Sequence, residues 1–139
     1  MPITWTLDDA TGVVRLVYAG ETKHTEWVEM MQAVFAHPAY RPGMGFVAIV
    51  DDSSPPDSAY IQRSAAFIRE HAATLGDFRW ANVTQRPVHF GMTRVAQAHS
   101  DDLPGDLAVF DDEAKALAWA ATPRPSPLDA LNPDRVRPG

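Results

Sequence analysis

The sequence predicts an α/β domain in which a mixed sheet of four to five strands is covered by helices, in the order β-β-α-β-α-β-α-β-α. Three observations lead there. Phe46–Val50 is an unbroken apolar run that ends in Asp51-Asp52, the pattern of a strand covered on both faces. Behind it, Ile61, Ala65, Ile68, Ala72 and Leu75 recur at helical spacing, with Tyr60, Phe67 and His71 beside the stripe; this is an amphipathic helix. Ahead of it, two β-branched segments flank the turn sequence DDATG, which reads as an antiparallel hairpin.

The elements follow in order. Ile3–Leu7 and Val13–Tyr18 are the hairpin strands, and Gly12 can take the positive φ of the turn. Thr22 is the expected N-cap of a helix carrying Trp27, Met31 and Val34 at helical spacing, flanked by Met30 and Phe35. His37-Pro38 stops that helix, because proline restricts the residue before it and lacks an amide proton. After the central strand Phe46–Val50, Ser54-Pro55-Pro56-Asp57 is expected to open the next helix, with Ser54 as N-cap, and Gly76 to close it. Phe78–Val83 is the fourth strand, although Asn82 disfavours one. Met92, Val95, Ala96 and His99 predict a short helix beginning at Gly91, and Leu107–Phe110 a last strand. Asp111-Asp112-Glu113 then opens a helix whose inner face is expected at Ala114, Leu117, Ala118 and Ala121. The domain is thus expected over residues 1–121. Five prolines and little apolar material predict a disordered tail over residues 122–139.

Composition excludes several functions. A chain of 139 residues is most simply one domain. With no cysteine there is no disulfide, thiol chemistry or cysteine-ligated metal. No apolar run is long enough to span a membrane, and the first residues lack a basic region followed by an apolar one, so a cytoplasmic protein is expected. A net charge of -6 with only two lysines, Lys23 and Lys115, argues against nucleic-acid or anionic-membrane partners. His24, His37, His71, His89 and His99 show no HExxH spacing, so no zinc site is expected. Asp51 and Asp52 stand where open sheets often bind ligands. A Mg²⁺-dependent phosphoryl receiver would also need a suitably placed lysine, and neither lysine is. The pair is expected in a solvated or capping role. The chain has no GxSxG, GxGxxG or GxxxxGK, so no acyl-transfer, dinucleotide or phosphate-loop chemistry, no cofactor and no enzyme activity are expected. Monomer and homodimer both stay open.

Several segments, taken together, resemble the SpoIIAA-like branch of the STAS superfamily, grouped with STAS/SEC14-like domains. They are GVVRLVYAGE, the Trp27 helix, YRPGMGFVAIVDD, the Ile61–Leu75 helix ending at Gly76, RWANV, FGMTR and VFDDEAKALAWA. The likeness covers about residues 5–121 and rests on their order and spacing. It implies a STAS-like fold and two function classes. Anti-sigma factor antagonists are phosphorylated on a serine at the start of the helix after the central strand, which makes Ser53 and Ser54 phosphorylation candidates. This chain carries DDSSPPD where those proteins carry serine, glycine and an aliphatic residue. The SpoIIAA-like branch is compared instead with domains that hold lipid or another apolar ligand between sheet and helices.

One segment points to a pocket. In Phe90-Gly91-Met92-Thr93-Arg94 a glycine beside large apolar residues would let the backbone approach a ligand, and methionines make adaptable surface. The expected site lies between the helix beginning at Gly91 and the first long helix. Trp27, Met31, Phe90 and Met92 would line it, with Arg94 at its mouth, or paired with Asp51 or Asp52. The sequence therefore favours a non-catalytic module for a small apolar or lipid-like ligand. The alternative is a protein-interaction regulator switched at Ser53 or Ser54.

Overall fold

The computed structural model describes residues 3–98, 102, 103 and 105–121. β1 (Ile3–Asp8) and β2 (Val13–Gly20) form the hairpin, with Ile3 opposite Tyr18 and Asp8 opposite Val13. Gly12 takes φ +71° in the turn. There follow α1 (His24–Ala36), β3 (Gly45–Ser53), α2 (Ser58–Glu70), α3 (Ala72–Leu75), β4 (Arg79–Val83), α4 (Pro87–Ala98), β5 (Asp106–Phe110) and α5 (Glu113–Ala121). The five strands lie in sequence order, and β2 to β5 run parallel. The mixed sheet and the order of elements are those the sequence predicts, with β3 at the centre.

This topology explains where the helices go. Each parallel crossover steps one strand in the same direction, and crossovers share one hand. The connecting helices α1, α2 and α4 therefore stack on one face of the sheet. No described strand follows α5, which folds back over the other face against β3 and β4. The apolar residues divide accordingly. Val14, Leu16, Phe46, Ala48 and Trp80 meet Trp27, Met31, Val34 and Phe67 on the crossover face. Val13, Val47, Ala81 and Val83 meet Ala116 and Ala120 on the other. Met31 and Val34 are completely buried, and each such side chain contributes about 1.5–3 kcal/mol.

Five local expectations are corrected. The cap of α1 is Lys23, not Thr22; its backbone amide donates to Glu26 Oε1 at 3.1 Å. The helix after β3 starts later than Ser54. A residue before proline is pushed into extended backbone, so Ser54 and Pro55 cannot turn, and the first helical residue after the prolines is Ser58. Asp57 is the cap, its carboxylate accepting from the Tyr60 amide at 2.8 Å. The same helix breaks at His71, where ring Nδ1 donates to the Phe67 carbonyl (2.8 Å) and the ring stacks on the Phe67 ring at 4.0 Å. Ahead of the break Phe67 is buried and Ile68 only half-buried. Helix α4 begins a turn earlier than Gly91, with Pro87 at its first position, where the missing amide proton costs nothing. His99 lies outside the described residues. Finally, α5 buries Ala116 and Ala120 and exposes Ala114 and Ala118. Alanine fills so many of its positions that apolar spacing does not define a face. The expected tail over 122–139 lies outside the described residues.

Candidate functional site

Between α2, α4 and the crossover face of the sheet is a half-open cavity of about 420 Å³. That is within the range of about 300–1,000 Å³ typical of small-molecule sites. Its apolar walls come from Trp27 of α1, Ile61 and Ile68 of α2, Trp80 of β4, Met92 of α4 and Leu107 of β5. The bulky aromatic side chains fill the junction of α1 and α2: Trp27 packs edge-to-face on Phe67 at 5.3 Å and tilted against Trp80 at 6.3 Å. Helix α4 lies beside β5, and the space between α2, α4 and the sheet stays open. At one edge Arg69 of α2 forms a two-pronged ion pair with Asp102, at 2.8 and 3.0 Å, tying α2 to the segment after α4. The pair is solvent-exposed, so it fixes position more than it adds stability.

A bulge shapes the end near the strand termini. Val17 pairs with Ile49, but Ala19 pairs with Asp52, so β3 carries one extra residue there. Strict alternation would place Ser53 on the face opposite Val50. The extra residue resets the alternation, and both line the cavity.

From that bulge a polar chain runs along the cavity wall. Trp80 Nε1 donates to Asn82 Oδ1 at 3.0 Å, and Asn82 Nδ2 donates to Thr93 Oγ1 at 3.1 Å. Thr93 Oγ1 donates to the His89 carbonyl at 2.8 Å. His89 Nε2 lies 3.1 Å from the Ser53 carbonyl; a carbonyl only accepts, so this nitrogen carries the proton. Arg86 Nη1 donates to the Asp51 and Ser53 carbonyls at 2.9 and 3.1 Å. The Asp51 carboxylate accepts from Thr84 Oγ1 and, at 2.9 Å, from the Gln85 amide. These bonds, the Thr84 hydroxyl foremost, hold the Asp51 carboxyl below its usual range. Burial lowers the affinity of His89 for a second proton, against the opposing pull of the Ser53 carbonyl.

The structure disperses the five residues expected to form the pocket. Trp27 and Met92 line the cavity. Met31 is completely buried in the core beneath α1. Phe90 is half-buried and outside the lining, and Arg94 is exposed on α4, away from the mouth. The pocket between α1 and a helix beginning at Gly91, with Arg94 at its mouth, is therefore replaced by one between α2 and α4. Gly91 sits inside α4, and a Cβ there would meet nothing within 4 Å, so no close approach requires it. Arg86, not Arg94, is the cation beside Asp51. Ser53 is buried, its hydroxyl donating to the Val50 carbonyl at 2.6 Å, and Ser54 is exposed ahead of the Asp57 cap.

Sequence reasoning missed Asn82, His89 and Thr93 as cavity residues. Asn82 carried a usable signal: a polar residue breaking an otherwise apolar inner strand position needs partners when buried. His89 and Thr93 give none: the helix expected from Gly91 leaves His89 outside it, and Thr93 lies within it with no spacing that marks its face. Among the described residues no group of three or more His, Asp or Glu is disposed to hold a metal, and no helix is long and apolar enough to cross a membrane.

No family model matches the chain, and no curated protein does. Among solved structures, it is similar to an uncharacterised protein of the DUF3478 family with a SpoIIAA-like fold from Shewanella loihica PV-4. The TM-score is 0.61 at 15% sequence identity, covering 85% of this chain and 93% of that one. The chain has a SpoIIAA-like fold.

Proposed function

We propose that this chain is a non-catalytic module that binds a small, largely apolar ligand in the cavity between α2 and α4. The single observation that carries this reading is the cavity itself, about 420 Å³ with a wall of tryptophan, isoleucine, methionine and leucine. Exposed apolar surface costs free energy in water, and a ligand that covers it recovers that cost. The polar groups at its edge support a binding role over a catalytic one. His89 Nε2, Asn82 and Thr93 are spent on bonds that hold α4 to the sheet, and Asp51 is spent on the β4–α4 turn. The buried, bonded hydroxyl of Ser53 likewise supports ligand binding over a switch at that serine.

Nile red, an uncharged dye that brightens in apolar surroundings, tests the reading. It is expected to bind the wild-type protein with micromolar affinity. Ile68→Trp, which fills the cavity from a half-buried position, is expected to weaken binding at least about tenfold, a loss of ~1.4 kcal/mol. Its circular dichroism should be unchanged. No dye binding, or equal binding by the two proteins, sinks the proposal.

A further inference from the structure

The bonds that hold α4 to the sheet leave one ring nitrogen over. His89 is only 3% exposed, and it lines the cavity. Its Nε2 carries the proton that goes to the Ser53 carbonyl at 3.1 Å, so Nδ1 holds a lone pair. Among the described residues nothing donates to that lone pair. Nδ1 is not sealed off either: the fully enclosed side-chain atoms without a partner are Thr22 Oγ1, His24 Nε2, Tyr60 Oη, Ser64 Oγ and Arg79 Nε. Burial disfavours a second proton on the ring, so at neutral pH the open nitrogen only accepts.

The wall beside it is built in the same way. Asn82 is half-buried on β4, between β3 and β5, and its remaining surface opens on the cavity that it lines. One of its two amide protons goes to Thr93 Oγ1 at 3.1 Å, and that hydroxyl donates to the His89 carbonyl at 2.8 Å. The second amide proton has no partner among the described residues. The neighbouring wall is apolar, made by Trp80, Met92 and Leu107. Met92 follows His89 by three residues, so the two share one side of α4.

Charge does not choose the polar group of a ligand here. Arg86 Nη1 lies 3.5 Å from His89 Nε2, while the lining also carries the carboxylates of Glu21, Asp57 and Asp106. The donor pattern does choose. A ligand that covers Nδ1 without a donor takes away its water and gives nothing back, which is costly. An ether or a carboxylate brings only lone pairs. A hydroxyl brings one proton and two lone pairs, the complement of an open acceptor and a spare donor.

We infer that the cavity selects an uncharged apolar molecule bearing a hydroxyl group, an alcohol or a phenol, whose O–H donates to His89 Nδ1 while its apolar body lies over Trp80 and Met92. This rests on the ligand-binding reading above and adds the donor that the ligand must carry.

Four probes on one ring system test it by isothermal titration calorimetry of the full chain at neutral pH: naphthalen-2-ol, 2-methoxynaphthalene, naphthalene and 2-naphthoate. Naphthalen-2-ol is expected to bind tightest, at least about tenfold ahead of each of the others, because they leave the buried acceptor unpaired. Nitrogen-15 NMR reads the atom itself. The His89 Nδ1 resonance, assigned by its absence from His89→Gln, should mark an unprotonated nitrogen in the free protein. It should shift on adding naphthalen-2-ol and stay in place with 2-methoxynaphthalene. Any of the other three probes binding as tightly as naphthalen-2-ol overturns the inference while the apolar-cavity reading stands. So does a protonated Nδ1 in the free protein, or a resonance unmoved by bound naphthalen-2-ol. Binding of none of the four also overturns it, and the Nile red titration then decides the cavity reading separately.

Discussion

Burial lowers the proton affinity of both His24 and His89 in the folded chain. Their contribution to pH dependence follows from the sign of that shift. A histidine whose folded pKa is depressed contributes stability that is fully present above its ordinary value of 6.5. That stability is lost as the pH falls through the folded value, because the unfolded chain takes up the proton first. The chain is therefore expected to be less stable at pH 5 than at pH 7. His89→Gln should reduce that loss. The amide can still donate toward the Ser53 carbonyl, so the cost at pH 7 should stay near ~1 kcal/mol. Urea unfolding at the two pH values checks this, and an identical pH dependence in the variant would show that His89 does not carry it.

Two glycines make opposite demands on their elements. Gly45 begins β3 beneath α5, and a Cβ there would sit 2.3 Å from the Ala120 carbonyl oxygen. Backbone cannot move aside as a flexible side chain can. Gly45→Ala should therefore push α5 off the sheet at a cost of about 1–3 kcal/mol or more. Gly91 lies inside α4 with open space where its Cβ would be. Gly91→Ala should stabilise the protein by about 0.5–1 kcal/mol, through the lower entropy of the unfolded chain. Chemical denaturation of the two variants measures both effects. A destabilised Gly91→Ala would mean that α4 is not helical there. The bulge in β3 acts on the same scale: one extra residue decides that Ser53 turns toward the cavity.

At the scale of the molecule, the sheet carries an apolar cluster on each face, and the residues through Ala121 complete both. A chain ended at Ala121 is accordingly expected to unfold in one cooperative transition, with a midpoint close to that of the full sequence. Thermal melting followed by circular dichroism tests this. A broadened or strongly lowered transition would place residues 122–139 among the determinants of the fold. The uneven number of helices on the two faces also sets the place of the cavity. Three crossover helices crowd one face with large side chains and leave a gap between α2 and α4. Among the described residues a single helix covers the other face, and it sits close, on alanine and glycine.

Local chemistry in the sequence was enough to determine the order of strands and helices, the antiparallel hairpin and the central place of β3. Turn residues, β-branched runs and helical spacing act over a few neighbouring positions, and these can be read without a partner. Pro55-Pro56 could have been read the same way, since the restriction proline places on its predecessor is also local. The cavity could not. Trp27, Ile68, Asn82 and Met92 belong to four elements, and only the packing of α2 and α4 over β4 and β5 brings them to one wall. Which alanines of α5 are buried was likewise decided by contact with β3 and β4, because a helix rich in alanine has no stripe of its own. The direction of Arg94 and the burial of Ile68 and Phe67 depend on where α4 starts and where α2 breaks. A shift of one residue turns a helical side chain by about a quarter of a circle, so small errors at helix ends become large ones at the site.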